Sequence, residues 1–118
     1  MPGVLVNDLG KITMSEDLIA SIAGFAAVEN YGIVGMSSKN ATDTIIQLVG
    51  GDNVKRGVKV TMLDGGTAVD IDLYVTLEYG VSLPAVAQNT IQNVRYRVNE
   101  MTGLTVSNVN IYVEAIRV

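Results

Sequence analysis

Asp70 and Asp72 stand two residues apart, as a carboxylate pair for acid–base work or a divalent cation would. The chain around them has 118 residues, no histidine and no cysteine. Without histidine, the commonest general base, the commonest metal ligand and the Ser-His-Asp triad are gone. Without cysteine there are no disulfides, thiolate zinc sites or sulfur nucleophiles. Calcium asks for about six to eight oxygens from a turning loop, and a flat alternating strand cannot wrap an ion that way. A solvated strand face is the simpler reading of the two aspartates. The remaining reactive groups are scattered carboxylates, four lysines and five tyrosines, with no spacing that pairs a nucleophile with a base. No catalytic, cofactor-binding or metal-ligating residue is assigned, and the chain reads as a non-enzyme.

Two glycine pairs invite a phosphate-binding reading. Gly32-Ile33-Val34-Gly35 matches the GxxG loop with which KH domains clamp a nucleotide backbone. Its middle residues are apolar, however, and no basic residue adjoins before Lys39. Gly50-Gly51, followed by Lys55-Arg56-Gly57, lacks the G-x-x-x-x-G-K-[ST] spacing and has no strand before it. Both read as turns, with a KH-like RNA binder kept as an alternative. Glu29 is harder to dismiss. It falls on the apolar side of a helix near Ile22 and Phe25, where its charge opposes the helix dipole. It emerges at the helix end or bonds loop amides between Asn30 and Gly35, or else it serves a partner or ligand. In the last case it would be the polar group of a pocket between that helix and residues 31–37.

The long helix over residues 82–101 carries the most unusual surface. Its outward face is Gln88, Asn89, Gln92, Asn93, Tyr96 and Asn99, relieved only by Arg95 and Glu100. Solvent-facing helices normally carry more charge, so this face is neutral and rich in hydrogen-bonding groups. Tyr74 and Tyr112, on the open face of a sheet, add amphipathic rings of the kind enriched at interfaces. These eight residues form the candidate interaction surface. The alternative is that amides are tolerated on a helix and the rings lie flat on their neighbours.

The elements that would hold these residues are legible from local pattern. Residues 4–13 read as extended chain turned at Asn7-Asp8-Leu9-Gly10. Ser15 is a good helix N-cap, with Thr13-x-x-Glu16 as a competing register. From there Leu18, Ile19, Ile22, Phe25 and Ala26 recur at helical spacing. A helix apolar over most of its girth is expected to be heavily buried, ending near Tyr31-Gly32. Residues 33–37 read as extended, and residues 40–49 as a short second helix with Ile45, Ile46, Leu48 and Val49. Val58, Val60 and Met62 alternate before a turn at Asp64-Gly65-Gly66. Val69, Ile71, Leu73, Val75 and Leu77 then point one way, and Asp70, Asp72, Tyr74, Thr76 and Glu78 the other. The long helix shows a stripe of Leu83, Ala87, Ile91, Val94, Val98 and Met101, closed by Gly103. Val109, Ile111 and Val113 form the inner face of a last strand. The sum is an α+β fold, a small mixed or antiparallel sheet with helices on one face and the other face open to water. The strand–helix–strand unit is expected to cross over right-handed.

Hydrophobic residues make up 48% and charged ones 17%, so the chain is not disordered. Its 12.5 kDa suits a single domain over residues 1–118. Eight basic against twelve acidic residues give a net charge of −4, and no clustered positive surface predicts nucleic-acid binding. The nearest cluster is Lys55, Arg56 and Lys59, beside Asp52. Met1-Pro2-Gly3-Val4 has no basic region leading into an apolar run, so no signal peptide is expected. The longest apolar stretch, residues 18–28, falls short of the roughly twenty a membrane span needs. A cytoplasmic location is expected, which leaves the Asn40-Ala41-Thr42 sequon unused.

Several segments, in order and spacing, resemble the alkaline shock protein family of Gram-positive bacteria, also called the envelope stress response family. They are Gly10-Lys11-Ile12-Thr13-Met14-Ser15 through Ile19-Ala20, and Ala26-Ala27-Val28-Glu29-Asn30-Tyr31-Gly32-Ile33-Val34-Gly35-Met36. Arg56-Gly57-Val58, Glu78-Tyr79-Gly80 and Val109-Asn110-Ile111-Tyr112-Val113 continue the likeness over nearly the whole chain. The compact length resembles the short, YloU-like branch, which lacks the charged tails of other relatives. The resemblance implies a non-enzymatic cytoplasmic protein of cell-envelope homeostasis and stress, with no cofactor and no catalytic residues to carry over. It also implies self-association, or attachment to the inner face of the membrane through a membrane-anchored protein partner. An interaction or scaffold module is the leading expectation. A small-molecule-responsive regulator of envelope lipid metabolism, with Glu29 in its pocket, is the alternative.

Overall fold

The computed structural model describes residues 2–37, 45–46 and 57–118. It opens with a hairpin of β1 (Gly3–Asn7) and β2 (Gly10–Met14), in antiparallel register from Gly3 opposite Met14 to Asn7 opposite Gly10. Asn7 makes the turn, because its Oδ1 accepts from the amides of Leu9 at 2.8 Å and Gly10 at 3.1 Å. Helix α1 (Glu16–Val28) starts at Ser15, whose hydroxyl accepts from the Leu18 amide at 3.1 Å. The competing register from Thr13 is not used, since Thr13 belongs to β2. Strands β3 (Ile33–Ser37), β4 (Ile45–Ile46), β5 (Val58–Leu63) and β6 (Ala68–Glu78) follow. Helix α2 (Leu83–Thr102), capped by Ser82 and ended by Gly103 at φ 75°, leads into β7 (Thr105–Arg117).

The sheet is mixed and β6 is its axis. One edge of β6 pairs antiparallel with β5, from Val58 opposite Leu73 to Leu63 opposite Ala68, and then with β3 at Met36 to Ile33. The other edge pairs in parallel with β7 along its whole length. Helix α2 supplies the crossover that parallel neighbours require. Gly57 sits where the first edge passes from β5 to β3, and its carbonyl accepts from the Tyr74 amide at 2.8 Å. The turn at Asp64-Gly65-Gly66 has positive φ at all three residues, the geometry expected of that sequence.

Val69, Ile71, Leu73, Val75 and Leu77 are all buried, as the alternation requires. Ile19, Ala23 and Ala27 of α1 and Val94 and Val98 of α2 join them in one apolar cluster. The fold is therefore α+β with its helices on the side of the sheet that alternation marks as apolar. On the opposite side Asp70, Asp72 and Tyr74 are half-buried.

Five expectations need correction. Thr76, assigned to the wet side, is fully buried and shares a 2.8 Å hydroxyl–hydroxyl bond with the buried Ser37. That bond is what lets two polar side chains lie in the interior. Ile45 and Ile46 are strand rather than helix, paired with Ser37 and Met36; β-branched residues favour such a ladder. The rest of the helix expected over residues 40–49 lies outside the described residues, as do Gly50-Gly51, Lys55-Arg56 and the sequon.

Helix α1 is not buried round its girth: Leu18 is 46% and Phe25 47% exposed, because an outer-layer helix buries only the sides facing the sheet and its neighbour helix. The buried stripe of α2 is Val86, Thr90, Val94, Val98 and Thr102, while Leu83 and Met101 are exposed. Thr90 and Thr102 can sit inside because their hydroxyls donate to the carbonyls of Val86 and Val98 on the preceding turn. Finally, β7 starts at Thr105, four residues before the expected inner face, and Val113 is 37% exposed at the sheet edge.

Candidate interaction surface

The amide face of α2 divides into two kinds of residue. Gln88, Asn89 and Gln92 are exposed. Asn93 is half-buried, and its Nδ2 donates to the Ala26 carbonyl of α1 at 2.8 Å, so it joins the two helices. The Asn30 side chain donates to the same carbonyl at 2.9 Å. Asn99 donates to the Leu104 carbonyl at 2.9 Å and fastens the turn that ends α2. Gln92, Tyr96 and Asn99 come together with Arg95, Thr105 and Val106 around an open groove of about 440 Å³ between α2 and β7. Arg95 closes part of it, donating to the Val106 carbonyl at 2.8 Å.

Tyr96 donates its phenol proton to Glu100 Oε2 at 2.6 Å. The bond to a carboxylate, and the charge of that carboxylate, raise the Tyr96 pKa above 10.0. Since the folded value is the higher one, the bond's contribution is complete below pH 10.0 and lost as pH rises through the Tyr96 value. Glu100→Gln is expected to return Tyr96 toward the ordinary tyrosine range. Ring resonances followed by NMR against pH test this, and an unchanged Tyr96 midpoint would refute it.

On the open sheet face the two tyrosines stack on each other, with ring centroids 4.8 Å apart and planes 14° from parallel. Next to them Asn110 donates to Asp72 at 2.9 Å and Asn108 to Asp70 at 3.2 Å. The aspartates are thus members of cross-strand amide–carboxylate pairs. Among the described residues, no three or more acidic side chains gather as a metal site would need.

Glu29 emerges at the helix end beside Ile22 and Phe25, as its place on the helical wheel predicts. It is the C-cap residue of α1 and pairs with Arg97 of α2 at 3.4 Å, both side chains about half exposed, so the pair adds little stability. The groove beside it lies between α1 and α2, about 160 Å³, lined by Ile22, Phe25, Ala26 and Met101. The cavity at the loop after α1, about 370 Å³, is lined by Asn30, Tyr31, Val81, Ser82 and Asn89 and does not include Glu29. Asn30, not Glu29, bonds the end of the helix there, through the carbonyls of Ala26 and Ala27.

Pattern reading passed over several strongly exposed apolar residues. Leu9 at the hairpin tip is 99% exposed and Val6 on the same arm 73%. Tyr31 and Tyr79, each followed by a positive-φ glycine, are exposed as well. A leucine inside a polar turn sequence is the signal that could have found the first.

No helix among the described residues is long and apolar enough to cross a membrane. The structure is a small α+β sheet that carries apolar and aromatic groups on its outside. The sequence comparisons carry this to a family. Residues 5–118 match the family of alkaline shock protein 23, described as having a cell envelope-related function. The chain belongs to that family, and the resemblance seen in its sequence is confirmed. It is 44% identical over 110 residues to the uncharacterised protein YloU of Bacillus subtilis, covering 92% of this chain and 90% of that one. A second Bacillus subtilis protein, YqhY, is 36% identical over 109 residues, covering 92% and 78%. A "stress response regulator gls24 homolog" of Streptococcus pyogenes is 29% identical over 108 residues, covering 92% of this chain and 59% of that longer protein. No solved structure matches.

Proposed function

We propose that this chain is a non-catalytic interaction protein of the cell envelope stress response. In this reading it works in the cytoplasm by self-association or by docking on an envelope-associated, membrane-anchored protein. The cell envelope description of its family and the stress-response name of one relative support the setting.

The observation that carries the mode of action is β7. This strand runs for 13 residues and, among the described residues, pairs with β6 alone. Native edge strands are usually short, charged or covered. This one has only Glu114 and Arg117 as charges, and it exposes Tyr112, Val113 and Ile116. Such an edge can accept another strand, its own or a partner's. The small-molecule alternative needs Glu29 in its pocket, yet the groove that Glu29 lines is about 160 Å³, below the roughly 300 Å³ at which ligand pockets begin, and the cavity of about 370 Å³ at the loop after α1 is lined without Glu29.

Sedimentation velocity over a concentration series, with chemical cross-linking in cells, tests the proposal. Tyr112→Asp and Ile116→Lys are expected to weaken association or partner cross-linking while leaving the fold intact by circular dichroism. A chain that stays monomeric to high micromolar concentration and cross-links to no protein in cells would overturn it.

A further inference from the structure

The hairpin at the start of the chain is an arm without a seat for its tip. Two strands alone are marginally stable in water, and only the base of this hairpin is packed. A Cβ placed on Gly3 would lie 2.8 Å from Leu104 Cδ1 and 3.2 Å from Ile19 Cδ1, which shows how closely that base sits on the body. Further out the arm exposes Val6 and Ile12, and at its turn Leu9 is 99% exposed and touches almost nothing of its own chain. Asp8 and Lys11, both exposed, flank that leucine.

Elsewhere on the same molecule is a hole of the right character. The groove between α1 and α2 is about 160 Å³ and is floored by Ile22, Phe25, Ala26 and Met101. An apolar cavity of about 150 Å³ holds a benzene-sized group, so the isobutyl side chain of one leucine fits. Arg97 and Glu29, paired at 3.4 Å, stand at its rim. The tip offers a leucine with one acid and one base beside it, and the groove offers an apolar hole with one base and one acid beside it.

We propose that Leu9 of one copy seats in the α1–α2 groove of a second copy, with Asp8 facing the second copy's Arg97 and Lys11 facing its Glu29. This deepens the self-association reading above and rests on it. Tip and groove are different patches, so the contact either repeats head-to-tail into a ring or an open chain or closes reciprocally as a two-fold dimer, each tip in the other copy's groove.

The experiment uses two full-length variants, Leu9→Asp, which spoils the tip, and Met101→Lys, which spoils the groove at a 63% exposed position. Burial of one leucine is worth about 2 kcal/mol, so each variant alone is expected to associate at least about thirtyfold more weakly than the parent chain. Mixed in equal amounts they are expected to regain dimer that neither forms alone at that concentration, because one variant's intact tip meets the other's intact groove. Sedimentation velocity and native mass spectrometry read this. Recovery of dimer in the mixture supports the contact. If the parent chain associates but both variants associate equally well, or if the mixture gives no dimer, the contact is wrong while self-association stands. If the parent chain stays monomeric, the self-association it rests on fails as well, and cross-linking to an envelope partner then decides the broader reading separately.

Discussion

Gly57→Ala is expected to lower the free energy of unfolding by about 3 kcal/mol, the upper part of the range for overpacking a tight interior. A Cβ built there lies 2.7 Å from the Ser37 carbonyl oxygen, 2.8 Å from the Tyr74 carbonyl oxygen and 2.8 Å from Met36 Cβ. None of these is the flexible end of a side chain, so the added methyl can be accommodated only by prising backbones apart. The Gly57 carbonyl also accepts the Tyr74 amide at 2.8 Å, and a displaced Gly57 would strand that amide beside the joint. Gly65→Ala is the control. It has positive φ, 71°, but nothing within 4 Å of an added Cβ, so it is expected to cost about 1 kcal/mol, the penalty of the left-handed conformation alone. Urea unfolding of the two variants compares them directly. Equal losses would show that crowding at the β5–β3 joint contributes nothing.

What could be read in advance was whatever is decided within a few residues of chain. Ser15, Ser82 and Gly103 cap their helices as their side chains and backbone freedom dictate. Asp64-Gly65-Gly66 turns where it should, and the alternation of β6 holds from Val69 to Val75, failing only where Thr76 is buried against Ser37. The last strand shows where such reading stops. Its register slips twice against β6, leaving Ser107 and Glu114 as extra residues. Period-two alternation is intact only between those bulges, and the strand is legible there and invisible outside them.

The candidate surface was harder for a related reason. Gln92 and Asn93 are adjacent amides of similar chemistry, yet Gln92 is exposed while Asn93 binds the Ala26 carbonyl of the other helix. Which one turns inward depends on how α2 is rotated against α1, and that rotation is set by packing between elements far apart in sequence. Leu18 and Phe25 illustrate the same limit from the apolar side. Their spacing marks a helix but cannot say that the helix covers the sheet with its other flank. Thr90 inverts it, being a polar residue that the core accepts because its proton stays within its own helix.

Leu104→Ala is expected to cost about 3 to 4 kcal/mol, as for other fully buried leucines truncated to alanine. Leu104 has no exposed surface, and it lies between the end of α2 and the foot of the hairpin. Its amide donates to Thr102 Oγ1 at 3.1 Å and its carbonyl accepts from Asn99 at 2.9 Å, so the backbone cannot follow the shortened side chain inward. Leu5 reaches the same corner, since a Cβ on Gly103 would lie 3.0 Å from Leu5 Cδ1. Because a two-stranded arm has little stability of its own, the missing side chain acts on the arm more than on the sheet. Hydrogen exchange is expected to rise first in the amides of residues 3–14, before those of β6, while urea unfolding reports the overall loss. Association through the arm should weaken in parallel, although Leu9 and the groove are both unaltered. A loss under about 1 kcal/mol, or exchange that rises equally in the arm and in β6, would show that Leu104 does not anchor the hairpin.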